Sequence, residues 1–225
     1  VSDAAVMPAL ALSGSNLAGN TPFSCALRTP AGLFVACSAP GVRGDLAVLA
    51  ADLCSAHGVQ PAQLRELRLD LGPGSYTGLR VAVTFVRFLQ QFGEVPVLAC
   101  DSLLLLAAAH LPAPAPYRLR PVLDARRERF HVASVVHDDA GLRHEAEPAA
   151  IPLEALLASL RPGDHILTSA AVGAQIETAA KAAGACIETI TKADAADLFA
   201  PHLQLVPCSS AQLEPRYLMG SYAES

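Results

Sequence analysis

"DLGPGSYTGLRVAV", residues 70–83, decides how this chain is read. An apolar stretch, "LRLDL", runs into it and an apolar helix runs out of it, with three glycines, a proline and two aliphatic hydroxyls between. A glycine-rich strand-to-helix turn is one place where backbone amides meet phosphate. It is equally what a tight corner requires. A nucleotide-triphosphate loop needs Lys followed by Ser or Thr after its last glycine, and Leu79-Arg80 stand there instead. A dinucleotide loop needs closer glycine spacing, and Pro73 removes one backbone N–H from the turn. Asp101, placed where an acid would read a ribose, precedes "SLLLL" and reads more simply as a helix cap. The stretch is therefore read as a corner. Gly72 and Gly74 permit the turn and Pro73 stiffens it. Ser75 or Thr77 caps the helix, and Gly78 omits a side chain where the helix passes close to another backbone.

The helix leaving the corner carries Arg80, Thr84, Arg87 and Gln91 on one narrow stripe and apolar residues over the remaining arc. The helix before it runs from Leu46 to Ala51 with no polar residue. Each has more apolar surface than one core-facing side uses. Either both helices are enclosed within the domain, or they form a surface for another protein. On the second reading the contact residues are Leu46, Leu49, Ala50 and Leu53 on one helix and Gly78, Leu79, Val83 and Val86 on the other. Gly78→Leu is then expected to weaken partner binding more than folding.

Element order widens the picture. Apolar runs broken by Gly, Pro and Asn predict β-β-β-α-β-α-β-α up to residue 112. "PAPAPY" (residues 112–117) reads as an extended link, after which strands and helices follow in a similar order. The expectation is an α/β fold of two lobes, 1–112 and 117–225, each a mixed sheet with flanking helices. It leaves open that a last helix over residues 193–205 packs back on the first lobe.

Several functions lose support. A net charge of −5 gives no global attraction for nucleic acid. Six scattered cysteines without a C-x-x-C pair read as reduced, buried residues. No membrane-length apolar run and no secretion signal stand out, so the plain expectation is a cytoplasmic protein without membrane contact. The seven histidines include no i, i+4 pair, so no metal site and no catalytic residue is assigned. Arg118, Arg120, Arg126, Arg127 and Arg129 cluster in the second half, as a phosphate or acidic-partner contact or as a solvated hairpin. Asp124 among them reads as turn chemistry or an arginine partner.

These residues have a resemblance. "LGPGSYTGLRVAVTFVRFL" resembles the G-P-G-S-[FY]-T-G-[LV]-R signature of the TsaB (YeaZ) family, fitting without a gap over nine positions from Gly72 to Arg80. "PVLDARRERFHVA" and the terminal "LEPRYLM" resemble two further stretches of it. The resemblance implies the two-lobed fold of actin, sugar kinases and Hsp70 (ASKHA). It implies a non-catalytic scaffold of the bacterial machinery that makes threonylcarbamoyladenosine (t6A) in tRNA. Its partners would be a TsaD-type catalytic subunit and a TsaE-type ATPase, with a homodimer when alone. Any tRNA contact would be indirect, and ATP, if bound at all, would sit at an interface with partners. Pairing would use the two helices that correspond to residues 45–54 and 77–91. TsaD holds a metal through an H-x-x-x-H helix motif, and the corresponding helix here has no histidine. Active members of the wider fold end their first strand in an aspartate, where this chain has Ser13-Gly14. "ALSGSN" and "GVRGD" also depart from the family pattern. The alternative is a nucleotide-dependent enzyme of the same fold that uses the loop from Gly72 to Arg80.

Overall fold

A computed structural model describes residues 7–19, 21–39, 44–111, 117–139 and 141–218. Residues 112–116 of the expected link, 41–43 of "GVRGD" and Met219 of "LEPRYLM" lie outside them. Contacts divide the chain into two units. The first holds the described residues up to Ser102, together with Asp194–Pro201 and Leu205–Arg216, and the second holds the described residues of Leu103–Ala193, His202–Gln204, Tyr217 and Leu218. The lobe boundary expected near residue 112 thus falls ten residues earlier, and the first unit is not contiguous in sequence.

Unit 1 is built on β1 (Ala9–Ser13), β2 (Ser24–Thr29), β3 (Gly32–Cys37), β4 (Glu66–Asp70) and β5 (Val97–Cys100). β1 pairs antiparallel with β2 and β2 with β3, while β1, β4 and β5 run parallel. All five residues of β1 are buried, the pattern of a strand covered on both faces. Between β3 and β4 lies α1 (Leu46–Ala56), whose cap Asp45 accepts from Ala47 N at 2.9 Å. Between β4 and β5 lies α2 (Tyr76–Gly93), which ends on Glu94 in the left-handed region. Both helices pack on this sheet.

α3 (Ser102–Ala109) leads into unit 2, formed by β6 (Tyr117–Arg126), β7 (Arg129–Val132), β8 (Val135–Asp138), β9 (Gly141–His144), β10 (Ala149–Pro152), α4 (Leu153–Ala158), β11 (His165–Thr168), α5 (Ala170–Ala183) and β12 (Cys186–Thr189). β6 pairs antiparallel with β7, β7 antiparallel with β10, β6 parallel with β11 and β11 parallel with β12. The order β10-β7-β6-β11-β12 thus repeats β3-β2-β1-β4-β5, and α4 and α5 take the places of α1 and α2. The hairpin β8–β9 is an insertion in this repeat. Its first strand follows β7 closely, so the apolar run "FHVASVVH", residues 130–137, is divided between β7 and β8. Arg120 anchors the unit: its guanidinium donates to buried Asp164 at 2.9 Å and to the Ser159 carbonyl at 2.6 Å.

The chain then returns to unit 1. The expected last helix is a five-residue 3-10 helix, Ala195–Phe199, and a short strand, β13 (Val206–Cys208), extends the sheet beside β5. The Phe199 ring is sandwiched between two guanidiniums, Arg28 at 4.2 Å and Arg68 at 4.5 Å from its centroid. The same arginines donate to the carbonyls of Phe199 and Leu198, both at 3.0 Å. Among the described residues no helix is long and apolar enough to cross a membrane. Replacing Phe199 by Leu keeps an apolar side chain and removes both cation contacts, so urea denaturation should show a loss of about 2 kcal/mol. An unchanged midpoint would mean that the contacts contribute nothing.

Candidate functional site: a closed glycine corner and the outer face of α2

β1 ends at Ser13, and the turn that follows lies against the start of α2. A Cβ on Gly78 would fall on the Gly14 carbonyl oxygen, and a Cβ on Gly14 would fall on that of Gly78. The two backbones therefore touch where any side chain would part them. Ser75 N donates to the Ser15 carbonyl at 2.9 Å. Ser75 Oγ accepts from Gly78 N at 3.3 Å and caps α2, while Thr77 is exposed. Gly72 has a φ of 101° and is followed by a cis peptide to Pro73. Its carbonyl accepts from Ser102 N at 2.8 Å, and Arg216 N donates to the neighbouring Leu71 carbonyl at 2.6 Å. The amides of Ser75 and Gly78, which a phosphate at this helix start would use, are engaged by the chain itself.

Beneath the corner sits a residue that sequence reading passed over. Asp70, at the end of β4, is fully buried and accepts from Ser102 Oγ at 2.7 Å. The Ser13 and Ser15 hydroxyls, 3.2 Å from each other, also favour its charged form, while Oδ1 has no hydrogen-bond partner among the described residues. Burial pushes its carboxyl above the ordinary range, against the pull of the three hydroxyls. A polar residue closing an apolar strand was the available signal, and it reads equally as the start of a loop.

The eight residues expected to meet a partner lie elsewhere than the surface. Leu46, Ala50, Leu53, Gly78, Leu79, Val83 and Val86 are buried in unit 1, and Leu49 is half-buried. The seven buried ones form the face of each helix that covers the sheet and hold the lobe together, and of the eight Leu49 alone keeps part of its surface open. Outward from α2 point Tyr76, Arg80, Val81, Thr84, Phe88 and Phe92, with Phe85 half-buried beside them, and Val48 is exposed on α1. Phe88 is 57% and Phe92 73% exposed, and their rings lie 4.6 Å apart. Arg80, Val81, Thr84, Phe85 and Phe88 line an open, shallow depression. The i, i+4 aromatic pair was the legible sign of this surface.

The arginine cluster is divided among separate jobs. Arg120 is bound to Asp164, and Arg118 pairs with Glu145 at 2.8 Å. Arg126, Arg127 and Arg129 lie exposed at the β6–β7 turn, where Asp124 accepts from Arg126 N at 2.8 Å. No cluster of three or more His, Cys, Asp or Glu among the described residues is arranged to hold a metal. Cys25, Cys54 and Cys100 are buried, whereas Cys37 and Cys186 are exposed, which corrects the expectation of six buried thiols.

Comparison with known proteins places these features. The family model of TsaD, tRNA N6-adenosine threonylcarbamoyltransferase, matches residues 43–204. The tRNA threonylcarbamoyladenosine biosynthesis protein TsaB of Escherichia coli K12 is 25% identical over 100 residues, 44% of this chain. That match spans only 43% of the relative's length. YeaZ of Pseudomonas aeruginosa superposes with a TM-score of 0.73 at 20% identity, over 93% of this chain and 99% of YeaZ. A second Pseudomonas aeruginosa structure, of a protein with similarity to peptidase YeaZ, gives 0.73 at 19% identity, over 94% and 99% of the two chains. The architecture is the ASKHA-like fold of these YeaZ structures.

Two outcomes follow from the corner. Gly78→Ala forces the Gly14 turn away and should cost about 3 kcal/mol or more in chemical denaturation. The expectation for Gly78→Leu is thereby reversed, since folding fails before binding is reached. Asp70 has a folded pKa above its unfolded value, so its contribution is full below the unfolded pKa and is lost as pH rises through the folded one. Asp70→Asn, which mimics the protonated acid, should gain stability relative to the parent as pH rises from about 4 to 8. Parallel stability curves for the two proteins would refute this.

Proposed function

Because the chain belongs to the TsaB (YeaZ) family, a group related to TsaD, we propose that it serves tRNA threonylcarbamoyladenosine formation as a non-catalytic subunit. It docks a TsaD-type enzyme through the outer face of α2. The observation that carries this reading is the Phe88–Phe92 pair, two adjacent aromatic rings left more than half exposed on a helix whose other side is core. Contiguous apolar patches of this kind mark interaction sites. The depression beside Phe88 receives an apolar side chain from the enzyme.

Three features support the non-catalytic role. β1 ends in Ser13 and is followed by Gly14, so the end of this strand itself carries no acid for a metal-bound phosphate. α1 carries no histidine. Two amides at the start of α2, those of Ser75 and Gly78, are engaged by Ser15 and Ser75. A TsaE-type ATPase completes the complex, and ATP chemistry belongs to the partners.

Light scattering after gel filtration, on the chain alone and mixed with the TsaD-type subunit of its own organism, tests the reading. A one-to-one complex is expected, and its absence at micromolar concentrations overturns the proposal. Phe88→Asp should weaken the complex by at least about 2 kcal/mol, roughly 30-fold. Its effect on folding should stay within about 0.5 kcal/mol, because the ring is exposed. Equal losses in binding and folding would contradict the assignment of this face.

A further inference from the structure

Two arginines stand on the polar stripe of α2, and one of them, Arg87, is paired with Glu214 at 3.7 Å. Arg80 lies on the rim of the depression, and Val81, Thr84, Phe85 and Phe88 complete the lining. Its Nη1 donates to Tyr76 Oη at 2.6 Å, and the guanidinium carbon lies 5.3 Å from the Tyr76 ring centroid. Tyr76 sits one turn earlier on the same helix, so the two side chains brace each other. One N–H of the guanidinium is used and four others remain. Other arginines are paired with carboxylates: Arg68 with Glu66, Arg118 with Glu145, Arg120 with Asp164, Arg143 with Asp138. Among the described residues no carboxylate pairs with Arg80.

We propose that Arg80, held over Tyr76 at the rim of an apolar depression, is the specificity residue of the docking face and receives a carboxylate from the partner enzyme. The proposal rests on the docking reading above. An apolar side chain seated against Phe88 strips water from the rim, and a guanidinium that loses water without gaining a counter-charge is costly. A partner lacking the acid is thereby rejected, whereas one that supplies it gains a charge-assisted, two-pronged hydrogen bond. The side chain is already ordered by Tyr76, so less conformational freedom is lost on binding. Arg80 and Phe88 are two helical turns apart, about 12 Å. The partner surface therefore carries an apolar side chain that meets Phe88 and an Asp or Glu about 12 Å from it.

The test uses the full chain and the TsaD-type subunit. Arg80→Glu should weaken the complex about tenfold or more at low salt and remove the salt dependence of the association rate, whereas Phe88→Ala should weaken it at every salt concentration. Arg80→Lys adds a third lysine to a chain that has only Lys181 and Lys192. Carbodiimide treatment of that complex should join the introduced amine to one Asp or Glu of the enzyme, found by peptide mass mapping. If Arg80→Glu binds like the parent while Phe88→Ala does not, the carboxylate proposal falls and the docking face stands. If neither variant weakens a complex that forms, the face itself is wrong and both fall. A parent chain that forms no complex also overturns both. If the chain alone dimerises and Arg80→Glu dissociates it, the carboxylate belongs to a second copy, which overturns the assignment to the enzyme.

Discussion

The contact of two bare backbones, Gly14 against Gly78, sets the geometry of unit 1. It brings α2 down on β1 and β4 at one depth and in one rotation. That rotation sends Leu79, Ala82, Val83 and Val86 inward. It leaves Tyr76, Arg80, Val81, Phe88 and Phe92 outward. The surface offered to a partner is therefore decided at the helix start, by the residues that have no side chain. The same contact answers what the glycine-rich turn is for. Ser15 and Ser75 satisfy the amides that would otherwise attract an anion, so the corner is closed by the chain that forms it.

Much of unit 1 was legible. Short apolar runs separated by Gly, Asn and Pro marked β1 to β5, Asp45 marked the start of α1, and the turn before α2 was recognisable as a corner. The repeat of the same strand and helix order in unit 2 was visible as element order, although no residues repeat. The short edge strands were not. β10 and β13 contain Pro152 and Pro207, which a sequence reader takes as strand breakers and which edge strands tolerate. The 3-10 helix at Ala195–Phe199 was mistaken for a longer helix because its capping acid and apolar spacing are shared by both.

The docking residues were misplaced for a related reason. On α1 almost every position is apolar, so periodicity has little phase and tertiary contact chooses the side that faces the sheet, whereas on α2 the stripe of Arg80, Thr84, Arg87 and Gln91 already marked the outer side. Excess apolar content was correctly seen on α2, but it identified the core side instead of the outer one. Charge was equally ambiguous. Five arginines between Arg118 and Arg129 drew attention, yet Arg118 and Arg120 are spent on pairs inside unit 2. The single arginine beside exposed aromatic surface, Arg80, lay within the glycine signature and looked like part of the corner.

The return of the chain to unit 1 after Ala193 bears on the order in which the protein is made. The main segment of unit 2, Leu103–Ala193, lies inside the sequence of unit 1, and its sheet is fully synthesised once β12 has appeared. At that moment unit 1 still lacks Phe199 between Arg28 and Arg68, β13 beside β5, and the Arg216 amide under the glycine corner. Domains generally fold in the order in which they leave the ribosome. Here the sheet that begins first is finished last, and the outer face of α2 acquires its final support only when β13 and the strap through Arg216 have emerged.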